Sequence, residues 1–189
     1  MKKIAIFVSG NGSNCENIIN HFAGSDSITT ALVLSNREDA FALQRAARHG
    51  VPTVVMKKAD FNDEAKLTAV LKQYDIDFIV LAGFLLMIPE FLVRQYHHRM
   101  INIHPSLLPK YGGKGMYGHH VHEAVKAAGD SETGISIHWV SPVCDEGEII
   151  SQFSTPIEPS DSADDIASKV HALEMKHFPE TIERIINHS

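Results

Sequence analysis

M-I-N-I-H-P-S-L-L-P, residues 100–109, is the stretch on which the reading of this chain turns. Its apolar start predicts a buried strand. Asn102 and His104 are two residues apart, so an extended backbone points both side chains to one face. Pro105 removes a ladder donor and biases His104 towards an extended conformation. An amide and an imidazole are thus delivered together at the C-terminal end of a strand, where open α/β sheets bind ligands. An amide can donate to a developing oxyanion, and an imidazole moves protons near neutral pH. The alternative for His104 is a core imidazole bonded to backbone.

Upstream, Asp77 to Ala82 is an apolar strand ending at Gly83, and Phe84 is followed by Leu85, Leu86, Met87 and Ile88 where a loop should be polar. That greasy segment is either core beneath a helix or the lining of a pocket for a flat, partly apolar ligand. Further back, Ile4 to Val8 reads as a strand buried on both faces. The turn S-G-N-G-S-N at 9–14 and a helix carrying Ile18, Ile19 and Phe22 follow. The order strand, glycine loop, helix suits a single phosphate at the helix N-terminus; a tight turn without ligand is the alternative. A dinucleotide site is disfavoured, because Cys15 stands where G-x-G-x-x-G needs its last glycine and no acid closes the strand Thr30–Leu34. Asp39–His49 and Asp63–Tyr74 read as helices, with a strand at Val51–Met56 between them. Pro89 opens another helix, from Glu90 to about His97.

Downstream, Lys110 to Gly118 holds four glycines in nine residues and predicts a mobile connection. His119 to Ala128 reads as a helix whose His119, His120 and His122 do not share one face, so solvated histidines are preferred to a metal site. Gly134–Val140 alternates, with Ser136 and His138 opposite Ile135, Ile137 and Trp139, and Glu148–Ile157 returns beside it as an antiparallel edge hairpin. A helix runs from Ser162 to about His177, and Pro179 starts or kinks a last segment to Asn187. Alternating strands and helices predict an α/β fold: a single Rossmann-like domain over 1–189, with a mostly parallel open sheet flanked by helices.

A net charge of −6 without any Lys/Arg run argues against nucleic acid as a partner. The isolated Cys15 and Cys144 form neither a disulfide framework nor a zinc site and suit a reducing compartment. There is no apolar run long enough to span a membrane and no signal h-region after Met1, so the expectation is a cytoplasmic protein. The sequence leaves monomer and homodimer both open. Asp145, in the acidic turn Ser141–Gly147, joins Asn102 and His104 as a third candidate for chemistry. With no G-x-S-x-G elbow and no Cys–His pair close in sequence, direct transfer to an external nucleophile is favoured over a covalent intermediate. A non-catalytic nucleotide sensor remains the competing class.

N-I-H-P-S-L-L-P-K-Y at 102–111, S-G-N-G-S-N at 9–14, V-L-A-G-F at 80–84 and D-E-G-E-I-I at 145–150 together resemble the phosphoribosylglycinamide formyltransferase family, in order and over nearly the whole chain. The resemblance implies formyl transfer from 10-formyltetrahydrofolate to the amine of glycinamide ribonucleotide. Formyl-folate hydrolysis and transfer to another small amine are its near alternatives. By the same resemblance Asn102, His104 and Asp145 are catalytic, with Asp145 raising the pKa of the histidine. Gly12, Ser13 and Asn14 bind the ribonucleotide phosphate, His171 lies on the phosphate side, and Glu174 binds the amine. Leu85, Leu86, Met87, Ile88, Asn102, Ser141, Pro142, Val143 and Cys144 take the folate, and no metal is implied. The family often has arginine where this chain has Leu86.

Overall fold

The computed structural model describes residues 1–188. Apolar runs become the strands β1 (Lys2–Val8), β2 (Ile28–Ser35), β3 (Thr53–Val55), β4 (Phe78–Leu81), β5 (Met100–His104), β6 (Glu132–Trp139) and β7 (Ile149–Pro156). They form one sheet in the order β3-β2-β1-β4-β5-β6-β7. From β3 to β5 neighbours are parallel, and β6 pairs antiparallel with both β5 and β7. The chain therefore reverses strand order between β1 and β4, and a crevice opens beyond their C-terminal ends. The expected edge hairpin is present; in addition its first strand is hydrogen-bonded to β5.

The helices are α1 (Ser13–His21), α2 (Phe41–Arg48), α3 (Lys58–Phe61), α4 (Glu64–Gln73), α5 (Glu90–Gln95), α6 (His119–Ala128) and α7 (Ala163–Asn187). Alternate residues of β1 feed two cores. Ile4, Ile6 and Val8 pack with Cys15 and Ile18 of α1, Val121 and Val125 of α6, and Ile166, Val170 and Phe178 of α7. Ala5 and Phe7 pack on the other face with Phe61, Leu67, Leu71 and Leu92 of α3, α4 and α5. Strands buried on both faces read as continuous apolar runs, which is why the parallel half was legible.

The strand expected at Val51–Met56 shortens to β3, α3 was not expected, and the last helix differs as well. α7 runs unbroken through Pro179, which is buried. Proline removes the N–H that would bond the carbonyl four residues back, here Met175. Asn17 of α1 donates its carboxamide to that oxygen at 2.7 Å. A side chain from a neighbouring helix thus satisfies the freed carbonyl. The other end of α7 carries a capping box, with Ser162 and Asp165 each bonding the other's backbone N–H.

Candidate active site

β5 presents Asn102 and His104 on the same face at the end of the parallel sheet. The antiparallel register sets Asn102 opposite His138 and His104 opposite Ser136. Asn102 Nδ2 donates to His138 Nε2 at 3.0 Å, and His138 Nδ1 donates to the Trp139 carbonyl at 2.9 Å. That carbonyl can only accept, so the hydrogen sits on Nδ1 and leaves Nε2 bare for the amide. Only one N–H of Asn102 is used in this bond; the other is available to a ligand.

His104 is buried at 4% exposure. Its Nε2 donates to the Tyr111 carbonyl at 2.7 Å, and its Nδ1 lies 3.4 Å from Asp145 Oδ2. Asp145 is 41 positions along the chain from His104, yet its carboxylate reaches both histidines, with Oδ1 at 3.7 Å from His138 Nε2. It adopts φ 58°, a left-handed conformation that Asp tolerates better than most residues. The turn is pressed tightly to the end of β6, since a Cβ at Gly147 would lie 1.6 Å from the Trp139 carbonyl oxygen. Burial acts to raise the Asp145 carboxyl; the neighbouring His138 ring, the charge of His104 and the Gly113 N–H, 2.9 Å from Oδ2, outweigh it. The net shift is downward, so the group is an anion at neutral pH. Burial and the neighbouring Asp145 charge push the Cys144 thiol up to about 11, which disqualifies it as a nucleophile at neutral pH.

Beside this triad lies a groove lined by Leu81, Phe84, Leu86, Met87, Ile88, Asn102, His138, Val140, Ser141, Val143, Cys144 and Asp145. The greasy segment after β4 is therefore a pocket wall, and Met87 and Val143 expose more than half their surface. Leu85 and Pro142, expected with them, do not line the groove. The Leu85 N–H is instead bonded to the Ser9 hydroxyl at 2.9 Å, tying the loops after β1 and β4 together.

The glycine loop follows β1. Gly12, at φ 79°, caps α1, and a Cβ there would lie 2.3 Å from Ala42 Cβ and 2.6 Å from Ala42 Cα. The loop rests on α2: Ala42 N donates to the Gly10 carbonyl at 3.1 Å, and Arg45 Nε donates to the Asn11 carbonyl at 2.9 Å. Ser13 and Asn14 open α1. Asn14 Nδ2 donates to Glu174 Oε2 at 2.9 Å, and His171 Nδ1 is 3.3 Å from the same oxygen. The hydrogen bond with Glu174 outweighs burial and raises the pKa of His171. Asn14 Oδ1 is buried without a hydrogen-bond partner. The expected phosphate loop and the expected amine-binding acid are thus in direct contact.

Two residues were missed or misread. His138 joins the cluster of Asn102, His104 and Asp145; its alternation with Ser136 was visible, but the register bringing it to Asn102 was not. His122 was read with His119 and His120 as solvated. It is 7% exposed, and burial lowers its pKa against the opposing charge of Glu174.

A family model described as formyl transferase matches residues 2–182. The chain is 37% identical over 190 residues to the chloroplastic phosphoribosylglycinamide formyltransferase of Arabidopsis thaliana, with 97% of this chain and 65% of the relative covered. Against the plant relatives it therefore spans just under two thirds of their length. It is 33% identical to the phosphoribosylglycinamide formyltransferase of Haemophilus influenzae, with 97% and 86% covered. The crystal structure of the Anaplasma phagocytophilum phosphoribosylglycinamide formyltransferase superposes with a TM-score of 0.89 at 34% identity, with 99% of this chain and 88% of that one covered.

Proposed function

The chain belongs to the formyl transferase family, and from that premise we propose that it transfers the formyl group of 10-formyltetrahydrofolate to the amine of glycinamide ribonucleotide. The observation that carries the reading is the chain of contacts from Asn102 through His138 to Asp145 and His104 at the end of β5, beside an apolar groove. The groove fits the folate: Leu86, Met87, Ile88, Val140 and Val143 offer apolar surface to a flat ring, and Asn102 and Ser141 offer polar groups at its edge. When bound, the folate supplies the formyl group. The N–H groups opening α1 at Gly12, Ser13 and Asn14 suit a phosphate, and Glu174 suits the amine end. With a soluble pair of substrates and two thiols outside any disulfide, the proposed setting is the cytoplasm.

The chain's residues then divide the work. The substrate amine attacks the formyl carbon, a C–N bond forms and the carbonyl oxygen becomes an oxyanion. The free N–H of Asn102 stabilises that charge. His104 carries the surplus proton of the amine to the departing folate nitrogen as the old C–N bond breaks, so protons balance. The Asp145 carboxylate, an anion at neutral pH, faces Nδ1 of that ring during the passage. The test is an absorbance assay of purified protein with both substrates. Folate deformylation that requires the ribonucleotide supports the proposal. Deformylation without it identifies a hydrolase, and ribonucleotide binding without turnover identifies a sensor; either outcome refutes the transferase reading.

A further inference from the structure

His104 has two ring nitrogens, and only one can carry the working proton. The Tyr111 carbonyl, 2.7 Å from Nε2, accepts and never donates, so it demands a hydrogen on Nε2. That leaves Nδ1, facing the Asp145 carboxylate at 3.4 Å, as the nitrogen that gains and loses a proton. The contact selects one of two neutral tautomers. What holds the carbonyl in place is therefore a question about catalysis.

Tyr111 sits at φ 55°, a conformation that bulky side chains rarely adopt and that surroundings must enforce. Its hydroxyl donates to Asp130 Oδ2 at 2.9 Å. The preceding residue is tied down as well: the Lys110 carbonyl accepts from the Ser106 hydroxyl at 2.6 Å, and Lys110 Nζ lies 3.4 Å from the same Asp130 oxygen. The tyrosine borders a cavity of about 240 Å³, shared with Leu107, Pro109, Val125 and Thr133. The ring also packs against the core that holds Val121 and Val125, and the bond to Asp130 fixes its hydroxyl end. Burial and the Asp130 contact both raise the hydroxyl's pKa, which keeps it a donor. Two residues on, Gly113 N holds Asp145 Oδ2 at 2.9 Å. One short loop thus grips both partners of the imidazole.

We infer that Tyr111 and Asp130 are positioning residues that fix the tautomer of His104 and so assign proton transfer to its Nδ1. The kinetic consequence rests on the formyl-transfer reading; the tautomer itself does not. The test uses the full chain with ¹⁵N-labelled histidine, the His104 ring being assigned by its loss in His104→Gln among the 12 histidines. In the unsubstituted protein the neutral ring should show hydrogen on Nε2 alone. In Tyr111→Phe and in Asp130→Ala both tautomers should appear, and kcat should fall about tenfold, the rate equivalent of one hydrogen bond, with both KM values little changed. Asp130→Asn keeps an accepting oxygen and should recover most of the loss. A single Nε2–H tautomer in Tyr111→Phe overturns the inference, as does unchanged kcat in that variant. Should Asp130→Ala fail to fold, Tyr111→Phe decides alone. If the unsubstituted protein transfers no formyl group, the function fails while the tautomer result still stands or falls by itself.

Discussion

Gly12→Ala is the sharpest perturbation of the phosphate loop, because two independent features of the fold oppose it. At φ 79° an L-residue pays roughly 1–2 kcal/mol for the left-handed backbone. The new methyl would also lie 2.3 Å from Ala42 Cβ and 2.6 Å from Ala42 Cα. Ordinary contact begins at 3.4 Å, so the loop and α2 must separate by about 1 Å. Neither obstacle is the end of a flexible side chain, so no rotamer change relieves them. A displacement of that size in a positioning element can lower turnover by about 10²-fold. The effect should appear in kcat/KM for the ribonucleotide, measured by the absorbance assay, with the folate KM nearly unchanged. Thermal melting should show a drop of about 2–8 °C for a destabilisation of this order in a chain of this length. Adding Ala42→Gly removes the 2.3 Å contact and leaves Ala42 Cα in place, so rescue should be partial. Gly10→Ala, with nothing within 4 Å of the added methyl, is the control and should be near silent. If Gly12→Ala keeps the ribonucleotide KM of the parent, the loop does not hold the phosphate and the reasoning fails.

Asn102→Ala and His104→Ala should each lose at least about 10²-fold in turnover while calorimetry still detects ribonucleotide binding; near-normal turnover in either refutes its role. Asp145 has a folded pKa below its ordinary value, so its stabilising contribution is complete above the unfolded value of about 3.9 and is lost as pH falls through the folded one. Urea midpoints of the parent should therefore drop on the acid side, and Asp145→Asn should lack that share of the fall. Asn17→Ala strands the Met175 carbonyl and should cost about 1–2 kcal/mol in urea unfolding. In a Pro179→Ala background, where a backbone N–H again reaches that carbonyl, the same substitution should cost far less, and additive effects would refute the account.

Sequence periodicity captured most of the parallel sheet because β1, β2 and β4 are buried on both faces. Their apolar runs have no other explanation in a chain of this size. Helix ends were legible where local chemistry marks them: the acidic first turn at Asp164 and Asp165 is part of a capping box, and Gly129 ends α6 in a left-handed conformation. α7 was misread at Pro179 because its continuity depends on Asn17, 162 positions away, and no local signal carries that contact. The four-residue α3 is too short to show a period at all.

The site divides along the same line. Asn102 and His104 could be paired from sequence because a strand's alternation is a local rule. Their partners could not, because each arrives through register or loop packing. His138 reaches Asn102 only through the antiparallel β5–β6 pairing, which a one-residue slip would reverse. Tyr111 reaches His104 through its backbone, so no side-chain pattern could announce it. Asp145 arrives on a turn seated by the close approach of Gly147 to Trp139. A sequence motif thus carries the groups whose chemical identity matters, while the groups that orient them are distributed over the fold. This is also why the glycine-rich loop resisted interpretation: its two contacts with His104 and Asp145 are a backbone carbonyl and a backbone N–H, and such contacts leave no side-chain signature of their own.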